Sequence, residues 1–468
     1  MPNPAKAKGA ALVAWRAETL GTLRLALPIA LALLVEVAMG VIEFTMAGRL
    51  GSAALAVAGF GTQIVYVPKI LAMGALYSIS ALGAQAHGAE RPDEVANVVR
   101  QGFRLATFLS LPVIGFMLLT GPALRFYQAG DPDFDIDIGA IERTLWWAIP
   151  AVPAFLWFQV LRNFVTILNR PGAVTIIAAL SVPLLVAALW LFMYGSWGAP
   201  DLGVPSIGLA ISLVAWFQFL AAVLYISRQQ YFASYRIFRA LNIHDRRLFR
   251  DLVRVGSPIA GAYFFESAMF FASTAAMAGF GKDALAAHSL VFSIGNIAFM
   301  IPYALGQAGT VRVGHAMGAK NPESARLRGL VAIALCQTWM LGAALTMWIW
   351  PGLLTSFYLA LDDPGNSRAV FLAAEFFAIC AVFQLFDGLQ TTTLGVLRGF
   401  KDTKAPMLIA FIGYWLLGIG GGFVLAYGLN LDGVGLWWGL AFGLMGSGLM
   451  LFVRFLFVSK RAIALAHA

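Results

Sequence analysis

The sequence predicts an all-α membrane protein, with twelve transmembrane helices in two six-helix lobes related by a pseudo-two-fold axis along the membrane normal. Three observations predict it. Sixty percent of the 468 residues are hydrophobic and only 12% are charged, where a soluble chain carries about a quarter. The apolar runs are of helix length rather than of the shorter strand length that a barrel uses. The second half of the chain also repeats the first at a shift of 230 residues.

The apolar runs are, in order, 22–46, 54–79, 101–124, 144–168, 172–195, 205–227, 254–280, 284–309, 330–357, 369–396, 405–428 and 434–457. The first follows a short basic segment, MPNPAKAKGA. It is too long for a signal-peptide core and lacks a cleavage site, so it is expected to stay as a helix. The second carries Lys69 beside Pro68. Between the third and fourth lies the acidic stretch DPDFDID (131–137), expected as a solvated outer turn. The sixth is followed by the longest polar segment, 228–254, whose seven arginines fit an amphipathic connector at the membrane surface. This divides the chain into a first lobe, 1–227, a connector, 228–253, and a second lobe, 254–468. Pro68, Pro183, Pro302 and Pro351 are able to kink their spans, although most prolines in membrane helices are only structural.

The loop charges orient the chain. With the N-terminus inside, 26 Lys and Arg fall on the inner side and 5 on the outer, Lys69 lying within a span. Such a bias places both termini in the cytoplasm. The basic surface facing an anionic leaflet accounts for the net charge of +9 without a nucleic-acid partner. The two cysteines, Cys336 and Cys380, lie in apolar runs and suggest no disulfide. No GxxxxGK[ST] loop is present to hold nucleotide phosphates.

The repeat is visible in several places. LPIA (27–30) aligns with SPIA (257–260), ALA (54–56) with ALA (284–286), and HGAERP (87–92) with MGAKNP (317–322). With a slightly larger shift, VLRNF (160–164) aligns with VLRGF (396–400). Two six-span repeats share one orientation, so a ligand is expected between the lobes, with transport by their rocking.

Charges inside spans are costly, about 2.5–3.5 kcal/mol each on insertion scales, and mark functional positions. Glu36 and Glu266 are equivalent in the repeat, each eight residues beyond the proline of LPIA or SPIA. Glu36 and Glu43 are seven apart and share a helix face. With Lys69 they form a candidate first-lobe site for a proton or substrate, or a Lys–Glu pair that locks the first two helices. In the second lobe Glu266 (in YFFE) and Asp387 (in VFQLFDGLQTTT) have no base within the spans of that half. Two carboxylates without a base form a candidate site for Na⁺ or a shared proton, with Gln384, Gln390 and Thr391 as further Na⁺ oxygens. Glu375 sits nearer a span end and reads as a snorkelling or capping residue. His87 and His315, expected in loops, and His288 lack neighbouring metal ligands.

These motifs carry a family resemblance. With IEFTMAGRLG (42–51), YFFE (263–266), AAHSL (286–290), RVGHAMG (312–318), QLFDGLQ (384–390), LRGFKD (397–402), FQVLRNF (158–164) and YGSWGAPDLG (194–203), the chain resembles the multidrug and toxic compound extrusion (MATE) family, in its NorM-like branch, over essentially its whole length. The resemblance implies efflux of cationic or lipophilic drugs in exchange for Na⁺ or H⁺ by a bacterial inner-membrane protein that needs no other cofactor. It assigns cation coupling to Glu266 and Asp387 and matches Glu43 to a first-lobe acid that is usually Asp. The chain departs from the family pattern at Phe383, where a tyrosine is common, at Ser181 and Leu185, where asparagines are common, and at Glu36 and Lys69, usually uncharged. Coupling in the second lobe, by Na⁺ ahead of H⁺, is the expectation, in a protein that acts as a monomer. A lipid-linked oligosaccharide flippase is the nearest alternative. It would need several basic residues for a pyrophosphate, and Lys69 reads as the only deep Lys or Arg. An enzyme is not expected, since no catalytic constellation is evident.

Overall fold

A computed structural model describes residues 4–130, 136–239 and 244–467. Among the described residues all regular structure is helical. The helices are α1 (Pro4–Gly48), α2 (Ser52–Gly88), α3 (Pro92–Gly130), α4 (Ile138–Ala148), α5 (Ala151–Ile167), α6 (Gly172–Met193), α7 (Ser206–Arg228), α8 (Gln230–Ala233), α9 (Arg246–Ala278), α10 (Lys282–Gly318), α11 (Pro322–Ile349), α12 (Pro351–Ser356), α13 (Ser367–Gly399), α14 (Lys404–Phe411), α15 (Gly421–Phe423) and α16 (Asp432–His467). Every expected span is helical, and ten helical segments are long and apolar enough to cross a membrane. An eleventh is the pair α4 and α5, bent by 45° at Ile149–Pro150. The seventh expected span lies in α9, where Glu266 and the arginines of the first turns lower the hydropathy. This is a multi-pass membrane protein.

Several details differ from expectation. Pro351 does not kink a span but starts α12 after a break at Trp350, because a proline is well tolerated only in a helix's first turn. His87 and His315 are the last-turn histidines of α2 and α10 rather than loop residues, with ring centroids 4.9 Å apart. The eleventh span alternates α-helical turns with wider π-helical turns over Ile412–Gly420 and Val424–Gly428. Of the acidic stretch 131–137, residues 131–135 lie outside the described residues. Asp137 caps α4 by accepting from the Ala140 amide at 2.9 Å. The connector is a short helix followed by turns, with Phe232, Tyr235 and Ile237 buried while Tyr231 and Arg236 are exposed; residues 240–243 lie outside the described ones. Asp245 caps α9 through the Leu248 amide, a bond that holds its carboxyl below the usual carboxylate range.

The chain forms two compact units. One contains residues 31–83 and 91–260; the other contains 1–30, 84–90 and 261–468. In the first, α7 packs against α4, α5 and α6. In the second, α13 is the central helix, packed by α10, α11 and α16. The approach of α11 is close because Gly388 leaves no room for a Cβ: one there would lie 2.5 Å from Met340 Cγ and 2.9 Å from Cys336 Sγ.

The second unit also joins the repeat-related ends of α2 and α10. A Cβ on Gly88 would strike the His315 carbonyl, and one on Gly318 the Gln85 carbonyl. Gln85 Nε2 donates to the Gly399 carbonyl at 2.8 Å. Nearby, Glu18 of α1 receives both Arg312 and Arg328, all three mostly buried. The seam therefore depends on two glycines at matching repeat positions. Replacing Gly88 with Val is expected to open it. A cysteine at Ala316, 2% exposed in the native seam, should then react with a maleimide several-fold faster than in the Gly88 parent. An equal rate would contradict the steric argument.

Candidate functional site

The second unit brings Glu266 and Asp387 together. Asp387 is 4% exposed on α13 and Glu266 is half-buried on α9, and the two interact electrostatically. Asp387 Oδ1 is buried without a hydrogen-bond partner among the described residues, as is Gln384 Oε1 one turn earlier. The Gln384 amide nitrogen is held by the Gly295 carbonyl at 3.0 Å. This turns its free oxygen, like that of Asp387, into an acceptor awaiting a donor or a cation. Gln390 donates to the Tyr414 hydroxyl and accepts from Thr391 at 2.9 Å, so its oxygen is already engaged. The unpartnered oxygens fit a hard cation or a proton. Among the described residues no group of three or more His, Cys, Asp and Glu forms a metal centre.

The expectation that this half has no base within its spans is corrected. Arg398, in the last turn of α13, is 7% exposed and interacts electrostatically with Glu266. Its guanidinium also donates to the Tyr263 hydroxyl at 3.3 Å and lies over that ring. Arg398 reads in sequence as a loop charge because it follows the apolar run by two residues. The helix continues to Gly399 and draws it inside. Tyr414 is fully buried and interacts electrostatically with both acids. Phe383, where the family resemblance expects a tyrosine, packs on Trp437 with centroids 5.9 Å apart. Tyr414, carried by the π-helical turns, a helix form often found at functional sites, thus supplies a phenol to this neighbourhood alongside Tyr263.

The first unit holds a second charged cluster. Arg162 of α5, 5% exposed, donates to Glu36 at 2.8 Å. Lys69 interacts electrostatically with Glu36, Glu43 and Arg162, and its Nζ sits 4.1 Å from the centroid of Phe155. Glu43 is 8% exposed. The expectation that Lys69 is the only deep Lys or Arg is therefore corrected by two residues, Arg162 and Arg398. Ser181, at one position where the family has asparagine, accepts from Gln218 at 3.1 Å; Leu185, at the other, is fully buried.

Glu375 is half-buried in α13, away from the central pair. His288 is buried against Phe292 and Trp437, with Thr274 Oγ1 3.1 Å from its Nε2.

The missed arginines left a signal in the sequence. VLRNF and VLRGF match in the repeat, and so do Glu36 and Glu266. Pairing the repeats places one Glu and one Arg at equivalent positions of each half. Tyr263, three residues before Glu266, shares its helix face. Tyr414 left no comparable signal.

Counting the clustered groups as ionised, the first unit's quartet of Glu36, Glu43, Lys69 and Arg162 is neutral. The second unit's trio of Glu266, Asp387 and Arg398 carries one excess negative charge.

Comparison with known proteins agrees with this architecture. The MatE family profile matches twice, over residues 28–191 and 258–424, and the two matches begin at the repeat-related prolines. A relative in Mesorhizobium japonicum, named a probable multidrug resistance protein NorM, is 37% identical over 444 residues, covering 94% of each chain. A Burkholderia vietnamiensis protein named multidrug resistance protein NorM is 32% identical over 443 residues, covering 95% of each. Among solved structures, an outward-facing multidrug resistance MATE family transporter of the MOP superfamily superposes with a TM-score of 0.84 at 17% identity, over 96% of each chain. The eukaryotic MATE transporter AtDTX14 gives 0.80 at 19% identity, over 97% of this chain and all of that one. The fold is theirs, and with relatives above 30% identity along nearly the whole length, this chain belongs to the MatE family.

Proposed function

We propose that this protein is a secondary active efflux transporter. It exports organic cations or lipophilic drugs across the bacterial inner membrane in exchange for Na⁺ or H⁺, with both termini in the cytoplasm. The two lobes, 1–227 and 254–468, alternate access to a substrate by rocking, with 228–253 as the cytoplasmic connector. No covalent chemistry is involved, and the protein works as a monomer.

One observation carries the reading: Glu266 and Asp387 interact with each other, and one base, Arg398, interacts with Glu266. A net charge inside the membrane is expensive to leave uncompensated. A bound cation removes the excess, and its departure restores it. A site whose charge changes with occupancy biases one lobe arrangement over the other. The unpartnered oxygens of Asp387 and Gln384 favour Na⁺ as the occupant, since oxygen ligands suit hard cations. A proton on Asp387 would produce the same change of charge. Glu36, Glu43 and Lys69 are a first-lobe substrate or proton site, now completed by Arg162.

The flippase reading would need free bases. Arg162 and Arg398 add two deep bases to Lys69, but each interacts with a carboxylate. They do not form an unopposed cluster for a pyrophosphate, which favours a cationic substrate.

In proteoliposomes, an imposed Na⁺ gradient is expected to drive efflux of a fluorescent organic cation by the wild type. Asp387→Asn and Glu266→Gln should each reduce that efflux to background while the proteins remain inserted and monodisperse. Normal gradient-driven efflux in both variants would overturn the second-lobe site. Drive by a proton gradient alone would overturn the choice of Na⁺. Glu375→Gln is expected to retain efflux under the same gradient; total loss would show that this residue belongs to the coupling site.

A further inference from the structure

Within the first-lobe cluster, Lys69 places a positive charge where a cationic substrate would bind. The first unit already pairs Glu36 with Arg162, so a second base is not needed to hold that carboxylate. Neither Lys69 nor Glu43 closes an ion pair within 4.0 Å among the described residues. The ammonium instead rests 4.1 Å from the Phe155 ring centroid, with Glu36 and Glu43 supplying the surrounding negative charge. Phe155 is a fixed platform: it packs on a small apolar cluster of Ala151, Ala154 and Ala215 together with Trp216 and Phe219. A cation over an aromatic face with carboxylates nearby is how proteins recognise organic cations. Here the cation is the protein's own side chain.

We propose that Lys69 is a tethered competitor, its ammonium filling an organic-cation subsite formed by Phe155, Glu43 and Glu36, so that a substrate cation binds there only when Lys69 swings away. This rests on the efflux reading above. The lysine is suited to such movement, being a flexible stem carrying a compact charge. When it leaves, Glu36 keeps Arg162, and only Glu43 loses its main countercharge. An incoming monocation restores the neutrality of the quartet, whereas a dication would leave excess positive charge. The subsite therefore selects singly charged organic cations with an apolar body. It also sets a conformational tax: the apparent affinity is reduced by the fraction of time that Lys69 occupies the site.

The test is equilibrium binding of tetraphenylphosphonium to the purified full-length protein. Lys69→Met is expected to tighten binding about tenfold, as expected if the site is vacant about a tenth of the time. Lys69→Arg, which keeps a cation, should not tighten it. In the double variant Lys69→Met/Phe155→Leu the gain should disappear. Phe155→Leu alone leaves all four charges in place and carries the test if Lys69→Met does not purify; it should weaken binding. Unchanged or weaker binding in Lys69→Met, or unchanged binding in Phe155→Leu, would overturn the competitor while leaving efflux standing. Absence of binding in every form, with no efflux from proteoliposomes, would overturn the efflux reading itself.

Discussion

A carboxylate inside a membrane helix must find a countercharge within the protein, and the two halves of this chain find it in related ways. Glu36 lies on the first helix of the first repeat and Glu266 on the first helix of the second. Arg162 and Arg398 sit at matching places near the ends of the fourth spans of the repeats. The first pair closes at 2.8 Å; the second interacts electrostatically while Arg398 also bonds Tyr263. Breaking a buried pair by removing one partner typically costs about 3–5 kcal/mol, because the remaining charge is stranded. That penalty constrains where the first and fourth spans of each half can sit. The duplication thus preserved an electrostatic contact as well as a helical pattern.

The halves diverge in what each adds to that shared pair. The first adds Glu43 and Lys69, one charge of each sign, and remains neutral. The second adds Asp387 alone and acquires an excess negative charge, bordered by the unpartnered Gln384 oxygen and the buried Tyr414 phenol. Duplication followed by unequal addition can make one repeat a responder to ions and leave the other free for substrate selection. The site proposed for the coupling ion also lies on the central helix of its unit, α13, with α10, α11 and α16 around it. A change in charge there acts on a close-packed neighbourhood, which passes strain on rather than absorbing it.

Much of this was legible in the sequence. Hydropathy located the helices, because a membrane helix must be apolar over most of its length; only the seventh, carrying Glu266, is less apolar than the rest. The repeat showed that Glu36 and Glu266 are equivalent, and the acids of the second half stood out as costly. Arg162 and Arg398 were misread because an arginine near a span end looks the same whether it snorkels out or is drawn in; for Arg398, only the helix continuing past the apolar run decides. That Pro351 begins a helix was not legible, because sequence does not show whether a helix continues up to a proline or begins there. The π-helical turns that carry Tyr414 left no pattern, since their residues are apolar on every face. Glu18 was missed because its partners, Arg312 and Arg328, are almost three hundred residues away or more.

The central claim is that the second half alone carries the charge that the coupling cation neutralises. The most direct measurement is release of the coupling cation, as Na⁺ or as H⁺ in weak buffer, when tetraphenylphosphonium binds to the purified, cation-loaded protein. At tetraphenylphosphonium concentrations that saturate each variant, the account predicts release in the wild type, none in Asp387→Asn, and continued release in Glu43→Gln. Release that persists in Asp387→Asn and vanishes in Glu43→Gln would contradict it and move coupling to the first half.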